Sequence, residues 1–525
     1  MEKYIKSHWE AHRAPRVECL VYESGYCSEH YRVNLSVEGV ELHANRVDAH
    51  GGIFGHKKKR ESVDLIPWMD VLGASLVTEH DSSMPSDPVD FVINACVPKY
   101  RDKRSRRILH PSTSTEKASA KEFHDRVLVQ WKFRSQGSDG EKLVPYLVSL
   151  IQFLADPRTL ATHPATFPLP RRKYLVYINP VGGAGKAKQI YAADVAPLFQ
   201  CSNIECEVVV TQHQAHATEH IGTVPLNTYD CVVAVGGDGL LSEIVQGIMK
   251  RDDWKRMIRQ PLGIIPGGSG NALAASLLAR SKEKTTALNA AYALSKGTAQ
   301  DLDMATILND HQEVMYSFLS LSWAFIADVD FGSERFRMFG GFRFTIAIVS
   351  KLLSSLRPLN GKIRYLCSEN DSSPPTKYHE RPHGYDGEVA PVFDCYAARP
   401  DQKEPHVQGE WKELNGPFHL FWGMNVTHGA SDAEVAPSAS MNDGYYHLVC
   451  IQSPFSRLDL LRVMLGLEDG SHVNHDEVHV IRTRAFTLHA EDSSDLIGVD
   501  GELFNGPHIQ VEVHRALGRI VCLPS

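Results

Sequence analysis

The sequence predicts a chain of class α/β plus β, in which a β-rich N-terminal module precedes a lobe on a parallel sheet and a second lobe made mainly of strands. Three observations predict it. Apolar and polar residues alternate in stretches up to about residue 135. From Lys173 strands, glycine loops and helices follow one another in turn. After Asp301 the texture changes to longer, mixed strands.

In the N-terminal module, Tyr31, Val33, Leu35 and Val37 alternate with polar residues, Glu38-Gly39 makes a turn, and Val40 and Leu42 resume the alternation, as in a hairpin. Further strands are expected at 71–77, 89–97 and 127–133, and a helix from about 143 to 154. Strands closed by one helix outline a small barrel over residues 1–160. Pro157, Pro164, Pro168 and Pro170 then mark an extended linker, placed at 161–172. Strands at 174–178, 231–235 and 262–265 alternate with helices at 190–199, 240–249 and 272–278, which makes 173–305 an α/β lobe with a parallel sheet. Residues 306–525 form the second lobe. Its stretch 368–410 is rich in Ser, Pro, His and charge and is expected to be a flexible insert, and strand-like alternation returns at 486–522.

The 525 residues leave room for two or three domains, and 43% hydrophobic content supplies their cores. A net charge of −8 argues against nucleic acid as the main partner. Two basic clusters, Lys57-Lys58-Lys59-Arg60 and 101–107, read either as solvated loops or as contacts with lipid headgroups or a nuclear address. Ten scattered cysteines without a C-x-x-C pair fit a reducing, cytoplasmic setting. The charged first ten residues do not read as a signal peptide, and no apolar stretch is long enough to cross a bilayer, so membrane contact is expected to be peripheral.

Three glycine loops end three successive strands, the edge of a parallel sheet where ligands bind. The first runs from Asn179 through Pro180, Val181, Gly182, Gly183, Ala184 and Gly185 to Lys186. It is not a Walker A loop, and alone it is either a tight turn or a cradle of backbone N–H groups for phosphate. In the second, Gly236, Gly237 and Gly239 surround Asp238, with Glu243 one turn on. Asp238 reads as a helix cap, or as a general base or magnesium contact. The third is Pro266-Gly267-Gly268-Ser269-Gly270-Asn271. Together the loops outline a pocket for a nucleotide triphosphate. Arg337 and Arg343 are forks suited to phosphate, or surface ion pairs. Asp500-Gly501-Glu502 alone would be a hairpin turn.

The three loops, the block from Ser322 to Asp330, and Asp500-Gly501-Glu502 resemble, in order, the five blocks of sphingosine kinases, within the diacylglycerol-kinase-like superfamily. The resemblance covers Lys173 to the C-terminus apart from the insert. It implies an α/β nucleotide-binding lobe followed by an antiparallel β-sandwich lobe that binds lipid, and transfer of the γ-phosphate of ATP, with Mg2+, to the primary hydroxyl of a sphingoid base. Carried over by position, Asp238 is the general base, and Gly236, Gly237 and Gly239 line the substrate with it. Asn179, Pro180, Val181, Thr211, Gln212, His213, Gln214, Ala215, Glu243, Gly268, Ser269, Gly270, Arg337, Arg343, Asp500, Gly501 and Glu502 contact nucleotide, and Asp330 holds the amino and hydroxyl head of the lipid. No metal ligand is assigned to the chain, magnesium arriving with ATP. The stretches 344–356 and 458–467 are plain core or the walls and gate of a lipid tunnel, and His472 resembles a pocket-lining position. Residues 66–74 resemble the pleckstrin-homology-like module that precedes some sphingoid and ceramide kinases, which would suit transient docking on a membrane surface. A homodimer is left open.

Two positions depart from the pattern. Gly236 stands where many animal sphingosine kinases have Ser, and Val181 where a basic residue is common. The rival readings are a ceramide kinase, which has no use for Asp330 because its substrate carries an amide; an NAD kinase, whose Gly-Gly-Asp-Gly loop is similar; and a lipid-binding adaptor without activity.

Overall fold

A computed structural model describes residues 16–23, 26–36, 38–46, 60–77, 89–99, 123–135, 140–161, 167–268, 270–333, 350–351, 357–368, 371, 373–380 and 410–524. The alternating N-terminal stretches become strands β1 (Arg16–Glu23), β2 (Tyr26–Leu35), β3 (Gly39–Arg46), β4 (Arg60–Pro67), β5 (Val71–Leu76), β6 (Asp90–Pro98) and β7 (Arg126–Ser135). They form one antiparallel sheet in the order β4-β3-β2-β1-β7-β6-β5. Val33, Leu35, Val40 and Leu42 all point to its inner face. Helix α1 (Gly140–Ala155) covers that face with Val144, Leu147, Ile151 and Leu154, packed with Phe91, Ile93 and Phe133.

The α/β lobe is built on parallel strands β8 (Arg172–Ile178), β9 (Ile204–Val210), β10 (Cys231–Gly236) and β11 (Leu262–Pro266), in the order β9-β8-β10-β11. All six residues of β10 are buried, Val232 and Ala234 in one core and Val233 and Val235 in another, as expected of a strand with helices on both faces. The helix expected at 190–199 is longer and irregular. It runs as Ala187–Ile190, a π turn at Tyr191–Val195, and Ala196–Cys201. Pro197 has no N–H to give the preceding turn, and the N–H of Ala196 instead bonds back to the Tyr191 carbonyl. The lobe's further helices are α2 (His216–Ile221), α3 (Asp238–Met249), α4 (Ala272–Arg280) and α5 (Ala287–Lys296), with a single helical turn at Trp254–Met257.

Beyond it come β12 (Thr298–Asn309), β13 (Val314–Ser317), β14 (Ser320–Ala324), α6 (Phe325–Ser333), β15 (Gly361–Leu366), β16 (Trp411–Asn415), β17 (Phe418–Met424), β18 (His428–Ala430), β19 (Ala433–Glu434), β20 (Tyr446–Gln452), α7 (Arg457–Gly466), β21 (His479–Thr483), β22 (Ala485–Ala490), β23 (Ile497–Val499), β24 (Glu502–Leu503) and β25 (His508–Cys522). The expectation of a purely parallel sheet beside a separate sandwich needs correcting. β25 pairs antiparallel with β22 and β12, and at Ile520 parallel with Leu262 of β11. One mixed sheet, β16-β15-β22-β25-β11-β10-β8-β9 with β12 and β13 branching from β25, therefore runs through both regions. A second sheet, β21-β20-β17-β14-β23-β24, shares a core with its C-terminal part through Leu321, Trp323, Phe421, Tyr446, Phe486 and Val511.

Buried contacts tie the N-terminal module to the α/β lobe. Phe167 packs against Phe153 of α1 at 5.2 Å between ring centroids. Arg126 of β7 donates to Glu283 at 2.7 and 2.9 Å and to Asp70 at 2.8 Å, and lies 3.7 Å over the ring of Tyr292 in α5. Lys296, at the end of α5, donates to the carbonyls of Val71 and Ala155. Part of the stretch expected to be a flexible insert is also packed. Lys377 pairs with Asp301 at 2.8 Å, and Tyr378 is buried against Trp254. Lys377 and Tyr378 find partners that the polar composition of the stretch hid.

Candidate active site

The three glycine loops follow β8, β10 and β11 and pack on one another. The N–H of Gly267 donates to the Gly236 carbonyl at 2.8 Å, and that of Asn179 to the Val235 carbonyl at 3.2 Å. A Cβ on Gly268 would fall 2.4 Å from Cα of Gly237, so only glycine lets the second and third loops touch. Gly183 has φ +58°, and a Cβ there would meet Gly268 at 2.9 Å, which brings in the first loop. Side-chain amides hold the loops' shapes. Asn179 Oδ1 accepts from the N–H groups of Val181 and Gly182, both at 3.1 Å, leaving Pro180 half-buried and Val181 exposed. Asn271, at φ +54°, accepts from Gly268 N–H and donates to Gly268 O, each at 3.0 Å. Asn271 was read as the end of the third loop but given no role of its own; its side chain and its tolerance of left-handed backbone were the available signal. Gly270 is half-buried and its carbonyl accepts from Ser431 in the β18–β19 connection. Ser269 lies outside the described residues.

Asp238 opens α3, whose N-cap is Gly237, and is 8% exposed. It does cap a helix, but its neighbour's. Oδ2 accepts from Ala272 N–H at 2.8 Å and Oδ1 from Leu273 N–H at 3.1 Å, at the start of α4. Burial pushes its pKa above the usual carboxylate range, and the two amides pull it back. Each oxygen has further lone-pair capacity, so the carboxylate can still accept a proton. Gly239 faces Glu502, whose Oε1 would lie 3.3 Å from a Cβ at that position.

Just past the end of β9, Thr211 is buried and bonded to the Ile178 carbonyl through N–H and hydroxyl, while Gln212, His213 and Gln214 are exposed. Ala215, at φ +65°, turns the chain into α2. Glu243 of α3 is half-buried, and its Oε2 is buried with no hydrogen-bond partner. Burial raises its pKa, Glu502 adds to the rise, and the N–H groups of Ala217 and Ala215 oppose it.

Asp500-Gly501-Glu502 is the hairpin turn between β23 and β24. Asp500 is 3% exposed and accepts from the Ser317 hydroxyl at 2.6 Å and from the N–H groups of Phe318, Leu319 and Ser320 at 3.2, 3.1 and 2.9 Å. Burial lifts its pKa to about 6 against those bonds. Its carboxylate thus fixes the β13–β14 turn, and Gly501 and Glu502 form the exposed tip. Asp330 is half-buried on α6, where Phe325, Ile326 and Val329 join the core that also holds Leu460, Val463, Met464 and Leu467 from α7 and the residue after it. The inner half of the 458–467 stretch is therefore core. His472 is buried and bonded to the Val435 carbonyl at 2.8 Å, a structural tie. Arg337, Arg343 and most of 344–356 lie outside the described residues. Among the described residues, no group of three or more His, Cys, Asp or Glu is placed to hold a metal.

Residues 173–307 match the family described as diacylglycerol kinase catalytic domain, and 398–521 that described as YegS C-terminal NAD kinase beta sandwich-like domain. Sphingosine kinase 1 of Arabidopsis thaliana is 34% identical over 342 residues, covering 63% of this chain and 68% of that one. Sphingosine kinase 1 of Homo sapiens is 32% identical over 359 residues, covering 66% and 90%. Human ceramide kinase is 26% identical over 402 residues, covering 66% and 72%.

Proposed function

Because this chain belongs to the sphingosine kinases, we propose that it transfers the γ-phosphate of ATP to the primary hydroxyl of a sphingoid base, with Asp238 as general base. It is a lipid kinase. The observation that carries the assignment of the base is the Asp238 carboxylate, buried where three glycine loops meet and fixed by two amides of α4. A hydroxyl is a poor nucleophile until its proton has somewhere to go, and a carboxylate made more basic by burial takes that proton as the oxygen attacks phosphorus. Glycine at positions 237, 267 and 268 lets the second and third loops pack against one another beside Asp238. Glu243 fits a nucleotide, because its orphaned Oε2 lacks the donor that a ribose hydroxyl would bring. Magnesium, when bound with ATP, would neutralise charge on the β- and γ-phosphates, and Glu502, on the exposed tip beside Gly239, would be an acid available to help hold it.

Asp330 is the proposed partner of the substrate's ammonium. The resemblance assigns Ser269, Arg337 and Arg343 to phosphate. The order of the N-terminal sheet and its closing helix support a pleckstrin-homology-like module. No described helix is long and apolar enough to cross a membrane, and a peripheral, transient contact with a lipid surface is part of the same proposal. Labelled phosphate transfer to sphingosine, ceramide and diacylglycerol in detergent micelles tests the substrate. Sphingosine should be labelled best, and Asp330→Asn should raise its KM about tenfold or more, the scale of one charge-assisted hydrogen bond. A preference for ceramide would leave the kinase standing and remove the role given to Asp330.

A further inference from the structure

The two faces of α7 are both apolar. Leu460, Val463 and Met464 enter the core. Leu458, Leu461 and Leu465, spaced i, i+3 and i+7 on the opposite face, are 68%, 36% and 67% exposed. Arg457 and Arg462, both exposed, flank this stripe on its two sides. Ser456 caps the helix by accepting from Asp459 N–H at 3.1 Å, and Asp459 pairs with Arg462 at 2.6 Å, so the stripe sits on a fixed element.

We propose that this outer face of α7 is the surface by which the kinase settles on a lipid bilayer. The inference rests on the lipid-kinase reading and names the surface that reading lacks. Three leucines on one helix expose roughly a few hundred Å², well short of the roughly 800 Å² per partner that a stable dimer buries. A stripe one helix wide with arginines at its margins suits a bilayer instead. The leucines enter the acyl region, while the arginine stems lie along it and their guanidinium groups reach headgroup phosphates. Arg457 and Arg462 are offset by Asp459 and Glu468, so apolar contact rather than net charge sets the affinity. The inner face of the same helix shares a core with Phe325, Ile326 and Val329, beside the proposed lipid-head acid Asp330.

The test is sedimentation of the full chain with phosphatidylcholine vesicles, comparing the parent with the Leu458→Ala/Leu465→Ala double variant. Turnover of sphingosine is measured alongside, in detergent micelles and in the same vesicles. The proposal expects at least a tenfold loss of vesicle binding, a matching loss of turnover on vesicle-borne sphingosine, and unchanged turnover in micelles and unchanged melting temperature. Vesicle binding equal to the parent's would overturn it. So would a parent that dimerises without lipid and a variant that does not, since the stripe would then be a self-association face. If the variant loses vesicle binding but the parent labels no sphingosine in micelles, the docking surface survives and the substrate reading fails.

Discussion

The proposed base, Asp238, stands between opposing forces. Burial raises its proton affinity, and the amides of Ala272 and Leu273 keep the ionised form within reach. Glu243 shows a different imbalance, a buried oxygen with no donor. Glu243→Gln should therefore raise the KM for ATP about tenfold and leave that for sphingosine unchanged, as steady-state kinetics would reveal. An equal rise in both would mean a general disturbance of the fold. At this scale Asp238 stood out because glycines surround it, but its bonds to the first amides of α4 are not announced by its own loop. Asp500 was only half legible. Its motif marks a turn, but the four bonds that hold Ser317 to Ser320 come from a strand far away in sequence, which no local pattern announces.

At the scale of elements, strands were the easiest to read, because alternation and unbroken apolar runs report how many faces are buried. β10 is a run of buried residues and became an interior strand of the sheet. What composition could not show was which polar residues would find partners after folding, as Lys377 and Tyr378 do. Lys296 is another such residue. Burial, with Arg172 adding to it, lowers its pKa from 10.5 to about 7, while Asp156 and Asp70 oppose the shift. Between those values the unfolded chain binds a proton that the folded chain does not. The stability Lys296 contributes is present above pH 10.5 and is lost as the pH falls toward 7. Thermal melts from pH 7.5 to 9.5 should show the parent gaining stability with pH by up to about 1.4 kcal/mol per unit relative to Lys296→Met. Parallel pH profiles would show that the ammonium stays charged in the fold.

Over the whole molecule, the sequence separated three regions that the structure ties together. β25, the last strand, completes the sheet of the α/β lobe and the sandwich at once, a long-range pairing invisible to periodicity. The N-terminal module is joined through Arg126, Glu283 and Lys296 at a buried polar seam. Removing Arg126 leaves Glu283, 2% exposed, without its cationic partner, which costs about 3–5 kcal/mol in such settings. Arg126→Ala should lower the melting temperature of the module and the α/β lobe together, as one calorimetric transition. Two transitions, with only the first shifted, would mean that the module unfolds on its own.

The central claim concerns Asp238, and the most direct measurement is the pH dependence of kcat/KM for sphingosine in the parent and in Asp238→Asn, with ATP binding measured in both. The parent rate should fall as acid protonates the base, at a pH above the ordinary carboxylate range. The variant should bind ATP normally, lose about 10²–10⁴-fold in rate, and lose that dependence. A variant that keeps most of its activity with the parent's pH profile would contradict the account.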